Sequence, residues 1–389
     1  MTSAEAIERL ESYVVEIMAG RRRTLYDECF RGFLFCFSRL YRAVVQLRLT
    51  LYEQRVLRQH MLGCLVVSVG NLTCGGTGKT PVVEVFAKTL AANGRRVAIL
   101  SRGYRSKAKP FLQRVQDFFL KTNKKIPPRV VSDGKRLLMD SAMSGDEPYM
   151  LASNLPDVMV VVDKDRVKAG RYAIRELGAD TLVLDDGFQY LRLRPRLNIL
   201  LVDSTRPFDN HYPLPRGLLR EPIKNLRRAD YVFLTKSSGG SHLRHLKGFI
   251  RSHNPRAEII ECTHRPQYLE NVYTKERQPL EALRGRRLAA VSGIAVPESF
   301  ESFLETLGGE VVYAERFMDH HRYRQQEIID FVNASLNREA EIIVTTEKDS
   351  VRFPMLDRRD LPVLFLRVEI DILSGEESFN DCIARMCFV

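Results

Sequence analysis

Two short stretches of this chain carry residue types suited to handling phosphate. The first is Thr73-Cys74-Gly75-Gly76-Thr77-Gly78-Lys79-Thr80. Glycines let a backbone turn its N–H groups inward, a lysine brings a mobile point charge to the outer phosphates, and a threonine hydroxyl is a ligand for Mg²⁺. The fit to the usual phosphate-loop pattern is partial, because Thr73 stands where the first glycine is expected. A glycine turn that merely ends a strand accounts for the glycines but not for Gly78-Lys79-Thr80 at a helix start. The second stretch is Asp185-Asp186, which closes the apolar run Thr181-Leu182-Val183-Leu184. Carboxylates at a strand end beside a nucleotide loop hold Mg²⁺; without such a loop they often only cap the strand.

The elements around these residues are those a nucleotide site needs. Leu65-Val66-Val67-Ser68-Val69 reads as a short buried strand, Gly70-Asn71 breaks it, and after Pro81 the residues Val82, Val83, Val85, Phe86 and Leu90 recur at helical spacing. A helix N-terminus behind a glycine loop adds positive potential where phosphates would lie. Arg95 to Leu100 predicts a second strand leading into Ser101-Arg102-Gly103-Tyr104-Arg105. Residues Lys107 to Lys135 are basic and contain Pro127-Pro128, so they predict an irregular exposed excursion. Gly145-Asp146-Glu147-Pro148 opens a helix with two adjacent carboxylates, and Val158 to Val162 is a strand ending in Asp163-Lys164-Asp165-Arg166. Leu197 to Val202 is another strand. A loop of prolines and charges from Arg206 to Pro222 reads as a wall for substrate or nucleotide, and Tyr231 to Leu234 as the last strand of this half.

Beyond about Ser237 the pattern predicts a smaller α/β lobe, with strands at Leu288 to Val291, Val311 to Tyr313 and Ile342 to Val344. Phe317-Met318-Asp319-His320-His321 lies between them. No third ligand stands at a sensible spacing for a metal, so the histidines are either solvated loop residues or deliver one imidazole into a cleft.

A net charge of +12 over 389 residues points to an anionic partner: nucleic acid, a membrane surface or a phosphorylated substrate. The seven cysteines show neither a CxxC pair nor metal spacing, which suits reduced thiols. Met1 to Gly20 carries Glu5, Glu8, Glu11 and Glu16, the wrong charge for a secretory leader, and no apolar run is long enough to span a bilayer. Between Arg21 and Arg58, the residues Phe30, Phe33, Leu34, Phe37, Leu40, Tyr41, Val44 and Val45 fall on one helical stripe. Arg31, Arg39, Arg42 and Phe35 lie off it, and Arg48 interrupts it. Such a helix lies in a membrane interface, with Arg48 snorkelling to the surface, or packs on the domain behind it; one helix can do both.

The ordered motifs VGNLTCGGTGKTP, SRGY, GDEP, DDGFQ, PRGLLREP, FMDHH and TTEKD resemble the tetraacyldisaccharide 4'-kinase family of lipid A synthesis, over about Leu65 to Phe353. The resemblance implies an α/β fold of the P-loop NTPase type. Its mostly parallel sheet is flanked by helices, with a smaller second α/β lobe and an N-terminal amphipathic helix. The division expected is an N-terminal segment over 1–60, a kinase core over 61–236, and a lobe over 237–389 that contributes to the cleft. It implies transfer of the γ-phosphate of ATP, with Mg²⁺, to a sugar hydroxyl of a tetraacyl disaccharide 1-phosphate. Asp146 would be the general base and His320 its partner. Residues Thr73 to Thr80 would bind nucleotide, and Thr80, Asp185 and Asp186 would hold the metal. Glu147, Arg166, Gln189, Arg220 and Glu221 are candidates for phosphate, metal or substrate contacts. The expected place is the cytoplasmic face of the bacterial inner membrane, peripheral, on its surface lipids, with no nucleic acid and no obligate protein partner. Tyr190 departs from the histidine expected after Gln189, and Met1 to Gly20 has no place in the pattern. A GGxGKT-type switch and a soluble kinase of small sugars remain alternatives. The first would hydrolyse nucleotide without acceptor, and the second would be indifferent to detergent.

Overall fold

The β-branched run, the glycines and the helical periodicity fold as they read: Leu65–Asn71 is a strand and Lys79–Ala92 a helix. The computed structural model describes residues 13–14, 16–18, 22, 24–103, 126–240, 242–294, 296–319, 321–356 and 360–387. In chain order the elements are α1 (Leu25–Glu53), β1 (Leu65–Asn71), α2 (Lys79–Ala92), β2 (Val97–Ser101), β3 (Arg129–Asp133), α3 (Ser141–Ser144), α4 (Asp146–Asn154), β4 (Met159–Val162), α5 (Arg166–Glu176), β5 (Thr181–Asp185), β6 (Leu197–Asp203) and β7 (Tyr231–Thr235). There follow α6 (His242–His253), β8 (Glu258–Asn271), β9 (Arg277–Gln278), β10 (Arg287–Ser292), α7 (Pro297–Thr306), β11 (Glu310–Arg316), α8 (Gln325–Leu336), β12 (Ile342–Thr346), α9 (Glu347–Ser350), β13 (Val363–Ser374) and α10 (Glu376–Cys387). The fold is α/β and its strand pairs are mostly parallel, as the sequence implied. Two compact units divide it, Met1–Lys79 with Thr181–Thr263 and Ile372–Val389, and Thr80–Asp180 with His264–Asp371.

In the first unit β1 lies between β5 and β6 and runs parallel to both, with Val69 level with Asp185 and Gly70 with Leu200. β7 follows β6, and the first residues of β8 follow β7, also in parallel. Tyr231 to Leu234 is therefore not the last strand. β8 mixes charges and Pro266 into its run, which masks its strand pattern in the sequence. Val67, Val69, Leu182, Val183, Ile199, Leu200, Val232 and Leu234 are buried, the near-continuous apolar filling of a sheet covered on both faces.

α1 starts at a capping box between Thr24 and Asp27. Its expected single stripe is divided in two. Leu34, Ser38, Leu49 and Tyr52 are buried, and Tyr41 and Val45 partly so. Ser38 Oγ donates to the Pro213 carbonyl at 2.7 Å, Tyr41 to the Arg220 carbonyl at 2.9 Å, and Gln46 to Asn225 at 3.0 Å. The neighbouring stripe of Tyr26, Phe33, Phe37, Leu40, Val44 and Leu47 is exposed. The exposed Arg48 reaches to 3.4 Å from the Gln189 carbonyl, which turns its side chain toward the DDGFQ segment. Among the described residues no helix is long and apolar enough to cross a membrane.

In the second unit β4 pairs in parallel with β2 and antiparallel with β3. β3 corrects the expected excursion: Arg129 to Asp133 is a strand, and Val131 and Ser132 are buried. Short length and flanking charges hid it, while residues 104–125 lie outside the described set. β10 lies between β11 and β12, with β13 beyond β12, all parallel. Alternate residues of β10 face opposite layers. Leu288 and Ala290 join Phe300 and Leu304 of α7, while Ala289 and Val291 join Ile328 and Phe331 of α8. The long strand β13 was not anticipated.

Candidate active site

The turn after β1 is shaped by a close approach. A Cβ on Gly70 would lie 2.7 Å from the Phe188 Cβ, so only glycine lets the DDGF segment pass, and Gly187 N–H donates to the Val69 carbonyl at 2.9 Å. Thr73 then forms a β-bridge with Leu219, and Cys74 N–H donates to the Leu218 carbonyl at 2.7 Å. An extended bridge residue has no need of glycine, which accounts for the departure at the first loop position. Gly75 and Gly78 have φ of +112° and +73°, and a Cβ on Gly75 or Gly76 would meet nothing within 4 Å. The loop is open to solvent at these glycines. Lys79 and Thr80 open α2 directly behind it.

Three charges gather at this loop. Lys79 Nζ lies 3.3 Å from Asp186 Oδ1 and 3.4 Å from Asn71 Oδ1, and Arg220 Nη1 donates to both Asp186 oxygens at 2.8 Å. Burial works to raise the Asp186 carboxyl, but Lys79 and Arg220 outweigh it and hold the group below the usual carboxylate range. Asp186 has φ of +51°, a left-handed backbone that aspartate tolerates better than most residues. Asp185, the last residue of β5, is buried. Gln189 donates to the Asn71 carbonyl at 3.0 Å, bracing the strand end. Glu221 sits in a buried ion pair with Arg228 at 2.6 Å and accepts from Asn225 at 2.7 Å. The structure thus joins Lys79, Asp186, Arg220 and Gln189 about one loop, and engages Glu221 with Arg228.

The second unit builds a different centre. Asp146 is the first residue of α4, with Arg352 Nε at 3.4 Å and Arg322 Nη2 at 3.6 Å from its carboxylate. Arg352 is fully buried and also holds Asp349 at 3.2 Å. Asp349 in turn accepts from the Tyr323 hydroxyl at 3.0 Å and the Gly293 N–H at 3.1 Å. Burial, then the Asp349 charge, push the Tyr323 hydroxyl far above its ordinary range, so it remains a donor. Lys348 lies 3.7 Å from Glu147 and 3.2 Å from Asp319. The GDEP, FMDHH and TTEKD motifs therefore converge. His320 lies outside the described residues; its neighbour His321 pairs with Glu327 at 2.9 Å. Arg166 is buried at the start of α5, whose first N–H groups Asp165 caps.

Arg352, Arg322 and Tyr323 were not singled out from sequence, nor were Thr235 and Lys236, which reach the glycine loop from the end of β7. The partners of Asp146 lie about two hundred positions away in the chain, and no local pattern marks them.

A parallel-sheet α/β fold with a Gly-Lys-Thr loop at the end of its central strand, and an ionised carboxylate beside the lysine, defines a nucleotide-binding protein of the P-loop type. Residues 30–387 match the family model for tetraacyldisaccharide-1-P 4'-kinase. Tetraacyldisaccharide 4'-kinase from Syntrophus aciditrophicus is 39% identical over 361 residues, covering 90% of this chain and 91% of that protein. The one from Pelobacter propionicus is 38% identical over 381 residues, covering 97% of this chain and 98% of that protein. Among solved structures, LpxK from Aquifex aeolicus in complex with ATP is 30% identical with a TM-score of 0.70, covering 92% of this chain and all of that one. The chain belongs to the tetraacyldisaccharide 4'-kinase family.

Proposed function

We infer that this protein transfers the γ-phosphate of ATP to the 4'-hydroxyl of a tetraacyldisaccharide 1-phosphate, the lipid A precursor for which its family is named. The observation that carries the reading is the open glycine loop with Lys79 and Arg220 gathered on Asp186. Phosphate oxygens are the natural competitors for both cations. On nucleotide binding Lys79 would neutralise the β- and γ-phosphates, and the guanidinium of Arg220 would turn from Asp186 to the transferred group. Asp186 and the Thr80 hydroxyl are hard oxygen donors, and the depressed Asp186 carboxyl is already ionised, so the donor set suits Mg²⁺. Together with Asp185 they would hold that ion, which supplies charge neutralisation on the phosphates.

Asp146 would take the proton of the 4'-hydroxyl as its oxygen bonds to the γ-phosphorus and the bond to the departing ADP oxygen breaks. His320 would orient that carboxylate. The fixed ion pairs of Asp146 support this role, because a base held in one position needs no reorganisation at the moment of transfer. Glu147, beside Lys348, and the buried Arg166 would contact substrate or phosphate. Acceptor-dependent turnover tests the reading: ATP consumption should require the tetraacyldisaccharide 1-phosphate and yield one phosphorylated product per ADP. Equal ADP release without acceptor would make the protein a nucleotide switch or ATPase instead.

The exposed stripe of α1 would lie in the cytoplasmic surface of the inner membrane, apolar side chains among acyl chains and arginines among lipid phosphates. Replacing Phe33, Phe37 and Leu40 together by serine should abolish co-sedimentation with anionic vesicles while leaving the melting temperature nearly unchanged. Retained sedimentation would remove α1 from the membrane.

A further inference from the structure

The loop does not hold its shape by its glycines alone. Thr235, the last residue of β7, is completely buried, and its hydroxyl donates to the Thr77 carbonyl at 2.9 Å. Lys236 follows it with a left-handed backbone, φ +54°, rare for a lysine. That conformation aims its ammonium at the Gly76 carbonyl, 3.1 Å away, and at Asp203 Oδ2, 2.6 Å away. Asp203 is fixed by Thr205, whose N–H and hydroxyl both donate to it, at 2.9 and 2.6 Å. Burial would raise the Asp203 carboxyl, yet the Lys236 and Thr205 contacts hold it below the usual range, so the pair is ionic at neutral pH.

A peptide unit is planar, and its N–H points opposite to its C=O. Fixing the Thr77 carbonyl on Thr235 therefore turns the Gly78 N–H away from β7. Fixing the Gly76 carbonyl on Lys236 orients the Gly76–Thr77 peptide itself, whose Thr77 N–H closes on the Gly75 carbonyl at 3.1 Å. Without these contacts, glycines that permit the required turn also permit many others.

We propose that Thr235 and Lys236, braced by Asp203, are positioning residues of the nucleotide site: they pin two consecutive carbonyls of the loop, one fixing the turn that the Thr77 N–H closes and the other setting the Gly78 N–H for the phosphates of ATP. This rests on the reading of residues 73–80 as the ATP loop. It predicts a specific kinetic pattern, because loss of a pin weakens phosphate binding but touches neither acceptor nor base.

Three variants of the full chain in detergent micelles test it: Lys236→Met, which keeps the stem and removes the ammonium, Thr235→Val, which keeps the shape and removes the hydroxyl, and Thr235→Ser, which restores it. Lys236→Met and Thr235→Val should each raise the Kd for a fluorescent ATP analogue and the KM for ATP about tenfold, the effect of one ordinary hydrogen bond. The KM for acceptor and the melting temperature without nucleotide should stay near wild type, and Thr235→Ser should bind as wild type does. Thr235 is buried, so Lys236→Met decides the matter if Thr235→Val lowers the melting temperature. Wild-type ATP affinity in Lys236→Met would overturn the proposal while leaving the ATP loop intact. A wild-type protein that binds no ATP analogue would overturn the loop reading, and the pin with it.

Discussion

Two carboxylates, one in each unit, are both held by pairs of cations, and they are held differently. Asp186 is partly open to solvent, and its partners are Lys79, which directly follows the open glycine loop, and Arg220, on the separate loop before β7. Asp146 is nearly buried, and its partner Arg352 is enclosed and tied to Asp349, whose oxygens also hold Tyr323 and Gly293. The first arrangement is exchangeable, since an arriving phosphate outcompetes one carboxylate for two cations at modest cost. The second is not, since parting Arg352 from its carboxylates strands buried charge. One cluster is open to an exchange of partners, and the other is built to stay where it is put.

That contrast can be broken at either end. The largest effect is expected at the exchangeable site: Lys79→Ala should lower kcat/KM at least about a hundredfold with little change in melting temperature, because it removes charge stabilisation of the transferred phosphoryl group. An unfolded variant would make Lys79 a structural residue instead. At the fixed site stability should suffer as well. Arg352→Met leaves Asp146 and Asp349 buried without their common guanidinium, a loss of about 3–5 kcal/mol by chemical denaturation. A shift below about 1 kcal/mol would mean that the cluster rearranges freely.

A smaller effect separates the two by pH. The folded-state carboxyl of Asp186 lies below its unfolded value of about 4, so its pairing stabilises the fold above that pH and the contribution fades as pH falls through the folded value. The melting temperatures of wild type and Asp186→Asn should differ at pH 7 and converge below about pH 4. Asparagine suits the left-handed backbone at this position, so strain adds nothing to the difference. A gap that persists unchanged to pH 3 would show that the ion pairs contribute nothing to it.

The exchangeable site was far more legible in the sequence than the fixed one. Strand, glycines, lysine and helix are contiguous between Leu65 and Leu90, and Asp185-Asp186 announces itself by ending an apolar run. The environment of Asp146 is assembled from Arg322, Asp349 and Arg352, each of which looks alone like an ordinary surface charge. The pin from Thr235 and Lys236 was hidden in the same way, because hydrogen bonds to carbonyls leave no trace in residue type at the receiving end. For α1 the periodicity was readable but the division was not. The covered and the exposed stripe lie one position apart along the helix, and the loop packed against Ser38 and Tyr41 decides which one is covered. β3 and β8 escaped notice because charges and proline interrupt short or long strands alike.

In the proposed mechanism the carboxylate of Asp146 receives the acceptor's proton while its surroundings hold it still. Initial rates of radiolabelled phosphate transfer from ATP to purified tetraacyldisaccharide 1-phosphate, for wild type and Asp146→Asn at equal folded concentration, test it most directly. Wild type should give steady product and the variant at least about a hundredfold lower kcat, with ATP affinity preserved. A variant that transfers phosphate at nearly the wild-type rate would contradict it.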